Sequence, residues 1–190
     1  MEVRGTRTET NLMAAFAGES QARNRYTYFA GVARKAGLEQ ISAAFLETAD
    51  HEKEHAKRFY SFLADGASVQ ITASFPKILA DTAANLQEAA AGENMEWTTL
   101  YPGFAQVADQ EGFAPVADLF RRVCVAERQH EQRYLGFLRN LREGRIFERE
   151  AATLWVCRNC GYVHEGPSTL DLCPACAHPK AYFELLAENW

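Results

Sequence analysis

Apolar residues recur at spacings of three and four over about the first 145 residues, a period typical of α-helices that bury one face. Phe45, Ala49, Phe59 and Phe62 show this spacing. We expect Gly37 and Gly66 to end helices, and Pro76 and Pro102 to start or break them. The pattern predicts four long helices, at about 6–36, 38–64, 77–100 and 103–142.

The pattern changes near Leu154, where strand-forming residues such as Trp155 and Val156 stand among glycine, proline and cysteine. This last part of the chain is too short for an apolar core of its own, so a covalent or metal staple is expected. We therefore predict a mainly α protein with two domains. They are a four-helix bundle over 1–146, with Asp65 to Phe75 as its crossover, and a small β module over 152–190. The charged stretch Arg142 to Glu150 would connect them.

The helical part contains an internal repeat. When the chain is aligned with itself, Glu52 pairs with Glu127, His55 with His130, Phe45 with Phe120 and Gly37 with Gly112, and Glu19 pairs with Glu93 after a shift of one residue. Two related helical hairpins predict a bundle with approximate two-fold symmetry. The extra residue in the second half predicts a π-bulge or a break at Pro102. Chance resemblance between alanine-rich helices explains the aligned aromatics, but poorly explains the aligned Glu and His.

Both Glu-x-x-His pairs place a carboxylate and an imidazole one helical turn apart on the same face. A glutamate from each of two helices, combined with Glu-x-x-His from each of two others, is the ligand set of ferritin-like di-metal bundles. Carboxylates can bridge two cations, and imidazole favours iron over magnesium or calcium. The sequence therefore predicts a di-metal site with these ligands: Glu19, Glu52, His55, Glu93, Glu127 and His130.

The repeat is asymmetric at Glu96, which lies one turn after Glu93 and matches Ala22 in the first half. Glu96 is thus a seventh candidate ligand. We hypothesise that it lets one iron exchange ligands when the oxidation state of that iron changes. The alternative is a surface glutamate. Tyr26 and Tyr101 are placed to donate hydrogen bonds to metal-bound carboxylates, unless they are ordinary core tyrosines.

A competing motif overlaps the first pair. His51, Glu52 and His55 satisfy His-Glu-x-x-His, the pattern of zinc metalloproteases. In the repeat, however, His51 corresponds to Ala126, whereas Glu52 and His55 both have counterparts. Only the di-metal interpretation explains which positions recur. Cys124 corresponds to Ala49 and is interpreted as a small core residue rather than a ligand.

Two Cys-x-x-Cys pairs predict a tetrahedral site for one metal ion on Cys157, Cys160, Cys173 and Cys176. A disulfide pair is the alternative. Zinc and iron both accept four thiolates, so geometry leaves the metal open. Iron is favoured by context, because it carries an electron and would be useful beside a redox di-iron site.

Composition and charge argue against several classes of function. The net charge of −5 argues against nucleic-acid or anionic-membrane partners. No apolar run reaches the roughly 18 residues of a membrane span, and the first residues show no apolar signal core, so we expect a cytoplasmic protein. No G-x-G-x-x-G motif is present, so a bound NAD(P)H cofactor is not expected.

These motifs together resemble the rubrerythrin family over essentially the whole chain. The resemblance is carried by the segments Glu19 to Tyr26, Asp50 to Arg58, Gly92 to Trp97, Tyr101 to Phe104, Ala126 to His130, Cys157 to Tyr162 and Cys173 to Pro179. Ala177 stands where stand-alone rubredoxins have glycine, a departure that is itself similar to rubrerythrins.

The resemblance implies a ferritin-like bundle followed by a rubredoxin-like module. It implies three iron ions per chain, two in the bundle and one on the four cysteines, without haem or bound flavin. Glu52 and Glu127 would bridge the pair, and His55 and Glu96 would alternate at one iron. It implies a homodimer that reduces hydrogen peroxide to water, with electrons from an external reductase or rubredoxin crossing between subunits. A ferroxidase, or a non-enzymatic bundle with a structural zinc ribbon, are the alternatives.

Overall fold

The computed structural model of the chain describes residues 2–189. Five α-helices are followed by three strands. The elements are α1 Arg7–Lys35, α2 Glu39–Tyr60, α3 Thr82–Met95, a π-helical segment Glu96–Leu100, α4 Tyr101–Gln110, α5 Ala114–Arg142, β1 Glu148–Cys157, β2 Val163–Ser168 and β3 Phe183–Leu185. Because α3, the π-helical segment and α4 follow one another without a gap, the bundle has four long helical rods. The predicted fold class is confirmed.

The predicted boundaries of the third and fourth helices were wrong. The third rod runs from Thr82 to Gln110, and the fourth begins at Ala114. Pro102 does not break the rod, because it stands where π-helical bonding gives way to α-helical bonding. That change leaves one carbonyl without a helical donor, so a residue that lacks an N–H fits there. The π-bulge, one of the two predicted ways to absorb the extra residue, is the one observed.

The turn between the third and fourth rods is at Gly112, which has a φ of 83°. Its partner in the repeat, Gly37, has a φ of 73° and separates α1 from α2. Glycine adopts this left-handed conformation at little cost, so both hairpins turn at the same repeat position.

The crossover is also longer than predicted. The second helix ends at Tyr60 rather than near Gly66, and the third begins at Thr82 rather than near Pro76. Asp81 fixes the start of α3, because its side chain accepts a hydrogen bond from the N–H of Ala84 at 2.8 Å.

The bundle has two apolar clusters that the repeat relates to each other. One contains Tyr26, Phe29, Phe45 and Tyr134. The other contains their repeat partners Tyr101, Phe104, Phe120 and Phe59. Each fully buried aromatic or aliphatic side chain contributes about 1.5–3 kcal/mol to stability.

The β module is a three-stranded antiparallel sheet in the order β2-β1-β3. Strand β1 begins at Glu148, inside the charged stretch that was predicted to be a connection. A small core of Trp155, Cys157, Cys173 and Phe183 lies against the sheet. The division into 1–146 and 152–190 stays a prediction, and its outer limits lie outside the described residues. None of the described helices is long and apolar enough to span a membrane.

Candidate metal centres

Six of the seven candidate ligands in the bundle converge on one point from four rods. Glu19 comes from α1, Glu52 and His55 from α2, Glu93 from α3, and Glu127 and His130 from α5. They form two overlapping groups, whose ligand atoms within each group lie within 4.8 Å of one another. The groups are Glu19, Glu52, His55 and Glu127, and Glu52, Glu93, Glu127 and His130. Glu52 and Glu127 belong to both groups, which is the placement required of bridging carboxylates.

The two histidines turn the same ring nitrogen towards the carboxylates. Nδ1 of His55 lies 2.9 Å from an oxygen of Glu52 and 2.9 Å from an oxygen of Glu127. Nδ1 of His130 lies 2.9 Å from Glu127 and 3.2 Å from Glu52. A single imidazole nitrogen carries at most one proton, so it cannot satisfy several carboxylate oxygens at once.

The carboxylates are buried, and burial dominates their electrostatics. Glu19, Glu93 and Glu127 have no exposed surface, and Glu52 is 1% exposed. Burial and the charge of Glu52 raise the pKa of Glu93 to about 8. Burial, followed by the charge of Glu127, raises the pKa of Glu19 well above its usual value. Without cations, such a cluster opposes folding, because each ionised carboxylate that lacks solvent or a counter-charge is costly to bury.

Close contacts between imidazoles and carboxylates act against burial at Glu127 and the histidines. Burial would raise the pKa of Glu127, but the adjacent imidazoles of His130 and His55 lower it to about 2. Burial would lower the pKa of His130, but its contacts with Glu127 and Glu52 raise it to about 12. In the absence of metal, the contacts with carboxylates thus favour the protonated form of both histidines.

The unpaired polar atoms test whether metal ions fit here. Among the described residues, six buried atoms of this cluster have no hydrogen-bond partner, and all are possible ligand atoms. They are Oε2 of Glu19, Oε1 of Glu52, Oε2 of Glu93, both carboxylate oxygens of Glu127 and Nδ1 of His130. Unpaired buried polar atoms are rare in folded proteins. Four carboxylates and two imidazoles are a donor set suited to a pair of iron ions.

Two buried tyrosines hold carboxylates from the opposite hairpin. The hydroxyl of Tyr26 donates to Oε1 of Glu93, and that of Tyr101 donates to Oε1 of Glu19, each at 2.5 Å. Burial and the facing carboxylate raise the pKa of both tyrosines, so both remain protonated donors. Each bond fixes one carboxylate oxygen and leaves the other facing the cluster.

Glu96 lies beside the six residues but outside both groups. It is in the π-helical segment and is 9% exposed, and its carboxylate makes no hydrogen bond to a described residue. Burial, followed by the charge of Glu93, raises its pKa well above the usual value. The exchange of Glu96 at one metal stays a prediction.

His130 has a neighbour that the sequence patterns did not predict. Nδ1 of His51 lies 3.1 Å from Nε2 of His130, and the two rings are stacked. His51 was considered only as a zinc ligand paired with His55, but neither candidate metal group of the bundle includes it. The sequence signal for this contact was the position of His51 on α2, one helical turn before His55. Cys124, as predicted, packs at the edge of the second apolar cluster.

The four paired cysteines form the second candidate centre. Sγ of Cys157 lies 3.7 Å from Sγ of Cys176, and Sγ of Cys160 lies 3.6 Å from Sγ of Cys173. A disulfide requires about 2.05 Å, so these cysteines are not bonded to each other. A tetrahedron with metal–sulfur bonds of about 2.3 Å has edges of about 3.8 Å, which matches these separations.

The two cysteine knuckles have the same backbone geometry. The N–H of Gly161 donates to the carbonyl of Cys157, and the N–H of Ala177 donates to that of Cys173, both at 2.8 Å. Gly161 and Ala177 both have positive φ, 77° and 58°. The backbone N–H of His178 lowers the pKa of Cys176 to about 6, which favours the thiolate that binds metal. Cys160 is exposed, so one edge of the site faces outward.

Comparison with known proteins agrees with both centres. A family model described as rubrerythrin matches residues 10–138, and one described as the rubredoxin-like domain of rubrerythrin matches residues 155–184. The rubrerythrin of Nitratidesulfovibrio vulgaris is 59% identical over 99% of this chain and 98% of its own length. The rubrerythrin of Porphyromonas gingivalis is 56% identical over 99% of this chain and 94% of its own length.

The similarity extends to solved structures. The fully reduced, all-ferrous state of nigerythrin matches with a TM-score of 0.64 and 32% identity, over 97% of this chain and 92% of that one. A di-iron domain joined to a rubredoxin-like domain makes these proteins iron-based redox enzymes linked to oxidative stress, and both expected kinds of iron site are confirmed for this chain. The chain belongs to the rubrerythrin family.

Proposed function

We propose that this protein is a peroxidase that reduces hydrogen peroxide to water at a di-iron site in the bundle. The observation that carries the proposal is the pair of overlapping ligand groups with Glu52 and Glu127 in common. When bound, the iron pair supplies two electrons and the Lewis acidity for the reaction, which consumes two protons per peroxide. We assign Glu19, Glu52, His55, Glu93, Glu96, Glu127 and His130 as its ligands.

The residues around the cluster orient the ligands and exclude water. Tyr26 and Tyr101 each hold one carboxylate from the other hairpin. The aromatic clusters above and below leave the carboxylates almost without exposed surface. Side chains fixed in this way need no rearrangement before they act. Glu96 is free of such contacts and is assigned as the ligand that exchanges with His55.

Cys157, Cys160, Cys173 and Cys176 would hold the iron that accepts electrons from outside. The outward edge of this site at Cys160 is where an external reductase or rubredoxin would approach. No dinucleotide-binding motif is present in the sequence, so NAD(P)H acts through that partner. We propose a homodimer in which the tetracysteine site of one subunit serves the di-iron site of the other.

One stopped-flow experiment on anaerobically prepared protein compares the peroxidase with the ferroxidase alternative. The fully reduced, iron-loaded protein is mixed with hydrogen peroxide or with oxygen at equal concentration, and the visible absorbance is followed by stopped flow. We expect oxidation by peroxide to be at least tenfold faster. Faster oxidation by oxygen would favour a ferroxidase. A colourless, redox-silent protein that contains zinc would favour the structural-ribbon alternative.

A further inference from the structure

A cavity of about 430 Å³ lies next to the di-iron ligands, between α1, the third helical rod and the crossover segment. Its wall is largely apolar and includes Ala14, Gly18, Phe75, Leu100 and Phe104. Glu96 and Tyr101 also line it. Since Tyr101 donates to Glu19, the cavity reaches the ligand cluster through one side chain.

The cavity is much larger than hydrogen peroxide requires. A water molecule occupies about 30 Å³ of liquid volume, and hydrogen peroxide has only one more heavy atom. Cavities of about 300–1,000 Å³ with apolar walls are typical sites for organic molecules. The volume here is at the small end of that range, which suits a single aromatic ring or a short alkyl chain.

Two oppositely charged groups at the wall neutralise each other. Nη1 of Arg25 lies 3.5 Å from Oε1 of Glu88, and their side chains are only 13% and 20% exposed. The described residues that line the cavity therefore offer no unpaired cation to an anionic ligand, and the remaining acidic side chain, Glu96, would repel one. The apolar wall therefore favours an uncharged tail.

We propose that this cavity receives the organic part of alkyl hydroperoxides, so that the protein also reduces ROOH with a small, uncharged R group. The inference rests on the proposed peroxidase function. The hydroperoxide group would lie towards Glu96 and Tyr101, with the tail between Gly18 and Phe104. The O–O bond breaks, and ROOH takes two electrons and two protons to give ROH and water. The same reductase-fed iron sites supply the electrons, and solvent supplies the protons.

Gly18 offers a direct test, because it lines the cavity on α1 and a Cβ built there meets no atom within 4 Å. Gly18→Leu should place its side chain in the cavity, where the Cβ position is open, and should not weaken the helix. Gly31→Leu is the matched control. Gly31 lies on the same helix, also has no atom within 4 Å of a built Cβ, and is not part of the cavity wall.

Two measurements test the inference: ligand binding to the oxidised holoenzyme, and steady-state turnover. We expect cumyl alcohol, the product of cumene hydroperoxide, to bind the oxidised protein in ligand-observed NMR. Gly18→Leu should weaken that binding about tenfold, and Gly31→Leu should not change it. In turnover, Gly18→Leu should lower the ratio of kcat/KM for cumene hydroperoxide to kcat/KM for hydrogen peroxide by a similar factor.

The inference is overturned if the wild type does not bind cumyl alcohol, or if Gly18→Leu binds it as well as the control does. It is also overturned if hydrogen peroxide is reduced and cumene hydroperoxide is not, a result that leaves the proposed function standing. Failure to reduce either peroxide would instead refute the proposed function, and this inference with it.

Discussion

Tyr101 donates its hydroxyl proton to Glu19 at 2.5 Å, and this bond links the start of α4 to the middle of α1. Its counterpart in the repeat joins the same two rods with donor and acceptor exchanged, because Tyr26 of α1 donates to Glu93 of the third rod. The two hairpins of the bundle are thus joined through the residues that would hold the metals. Packing of the bundle and geometry of the site depend on the same contacts.

Removing one of these hydroxyls should weaken iron binding. Tyr101→Phe keeps the ring in its apolar cluster but leaves an oxygen of Glu19 without its donor. We expect a loss of about 10–100-fold in iron affinity or turnover, the usual cost when a partner of a metal ligand is lost. Iron titration with a competing chelator measures the affinity. Tyr28→Phe is the control, since Tyr28 is on α1 but is 58% exposed. Equal affinities in the two variants would contradict the assigned role of Tyr101.

Loss of a shared carboxylate should remove both metals of the bundle together. Glu127 belongs to both ligand groups. We therefore expect Glu127→Ala to lose the di-iron pair and to keep the tetracysteine iron. Metal analysis together with the visible spectrum of the tetracysteine site would show this. Glu54→Ala, an exposed position on α2, should retain the full iron content. A Glu127→Ala protein that retained one bundle iron would argue against a bridging role.

The convergence of six ligands could be predicted because it depends on two regularities of the sequence. Helical spacing puts each Glu and His pair on one face, and the repeat brings equivalent faces together. The π-helical segment was also predictable, because one half is a residue longer between Glu93 and Phe104. The alignment of Gly112 with Gly37 indicates the turn at Gly112, whereas the helix-breaking tendency of Pro102 wrongly predicts a boundary there.

Other features depend on tertiary packing that no periodicity encodes. The stacking of His51 on His130 joins two helices that are distant in sequence. The cavity beside Glu96 exists because the crossover segment, which has no regular pattern, passes over α1 and the third rod. The position of Glu96 outside both ligand groups likewise follows from the local path of the π-helical turns.

Cys160→Ser should interrupt the supply of electrons without changing the di-iron site. Serine is a poor replacement for a thiolate in a soft tetrathiolate site, so iron binding there should be weakened. We expect slower steady-state peroxide turnover with the external reductase. A single turnover of chemically reduced protein should keep its rate, because the bundle is untouched. The proposed electron route is refuted if steady-state turnover is unchanged.

Ala177 carries backbone strain that its counterpart in the first knuckle avoids. Its φ is +58°, a conformation that costs a non-glycine residue about 1–2 kcal/mol. Part of any gain from glycine is offset by the entropy of the unfolded chain, so we expect Ala177→Gly to stabilise the β module by about 0.5–1 kcal/mol. Gly161→Ala should destabilise it by a similar amount. Slower loss of the visible absorbance to a chelator in Ala177→Gly, and faster loss in Gly161→Ala, would confirm both.

Metal removal should give the bundle a stability that falls as pH rises. In the metal-free protein, burial and neighbouring charge raise the pKa of Glu93 to about 8, and the pKa of Glu19 and Glu96 is also raised. A carboxyl group with a higher pKa in the folded chain contributes its full stability below its unfolded pKa of about 4.3. That contribution is lost as the pH rises through the folded value.

The histidines of the site act in the same direction. Although burial opposes protonation, carboxylate contacts raise the pKa of His55 to about 10 and that of His130 to about 12. Their contribution is complete below the unfolded value of about 6.5 and declines above it. Glu127, with a pKa lowered to about 2, has the opposite sign. Its contribution is lost only as the pH falls below about 4.5 towards that value, so it does not offset the others near neutral pH.

We therefore expect the Tm of the chelator-treated protein to fall between about pH 5 and pH 8, because the folded cluster binds more protons than the unfolded chain throughout that range. In the iron-loaded protein, cations replace those protons, so its Tm should be higher and depend less on pH. Far-UV circular dichroism follows the helical bundle in both samples. If the metal-free Tm rose with pH instead, the buried carboxylates would have to be ionised when folded, and the electrostatic description of the site would be wrong.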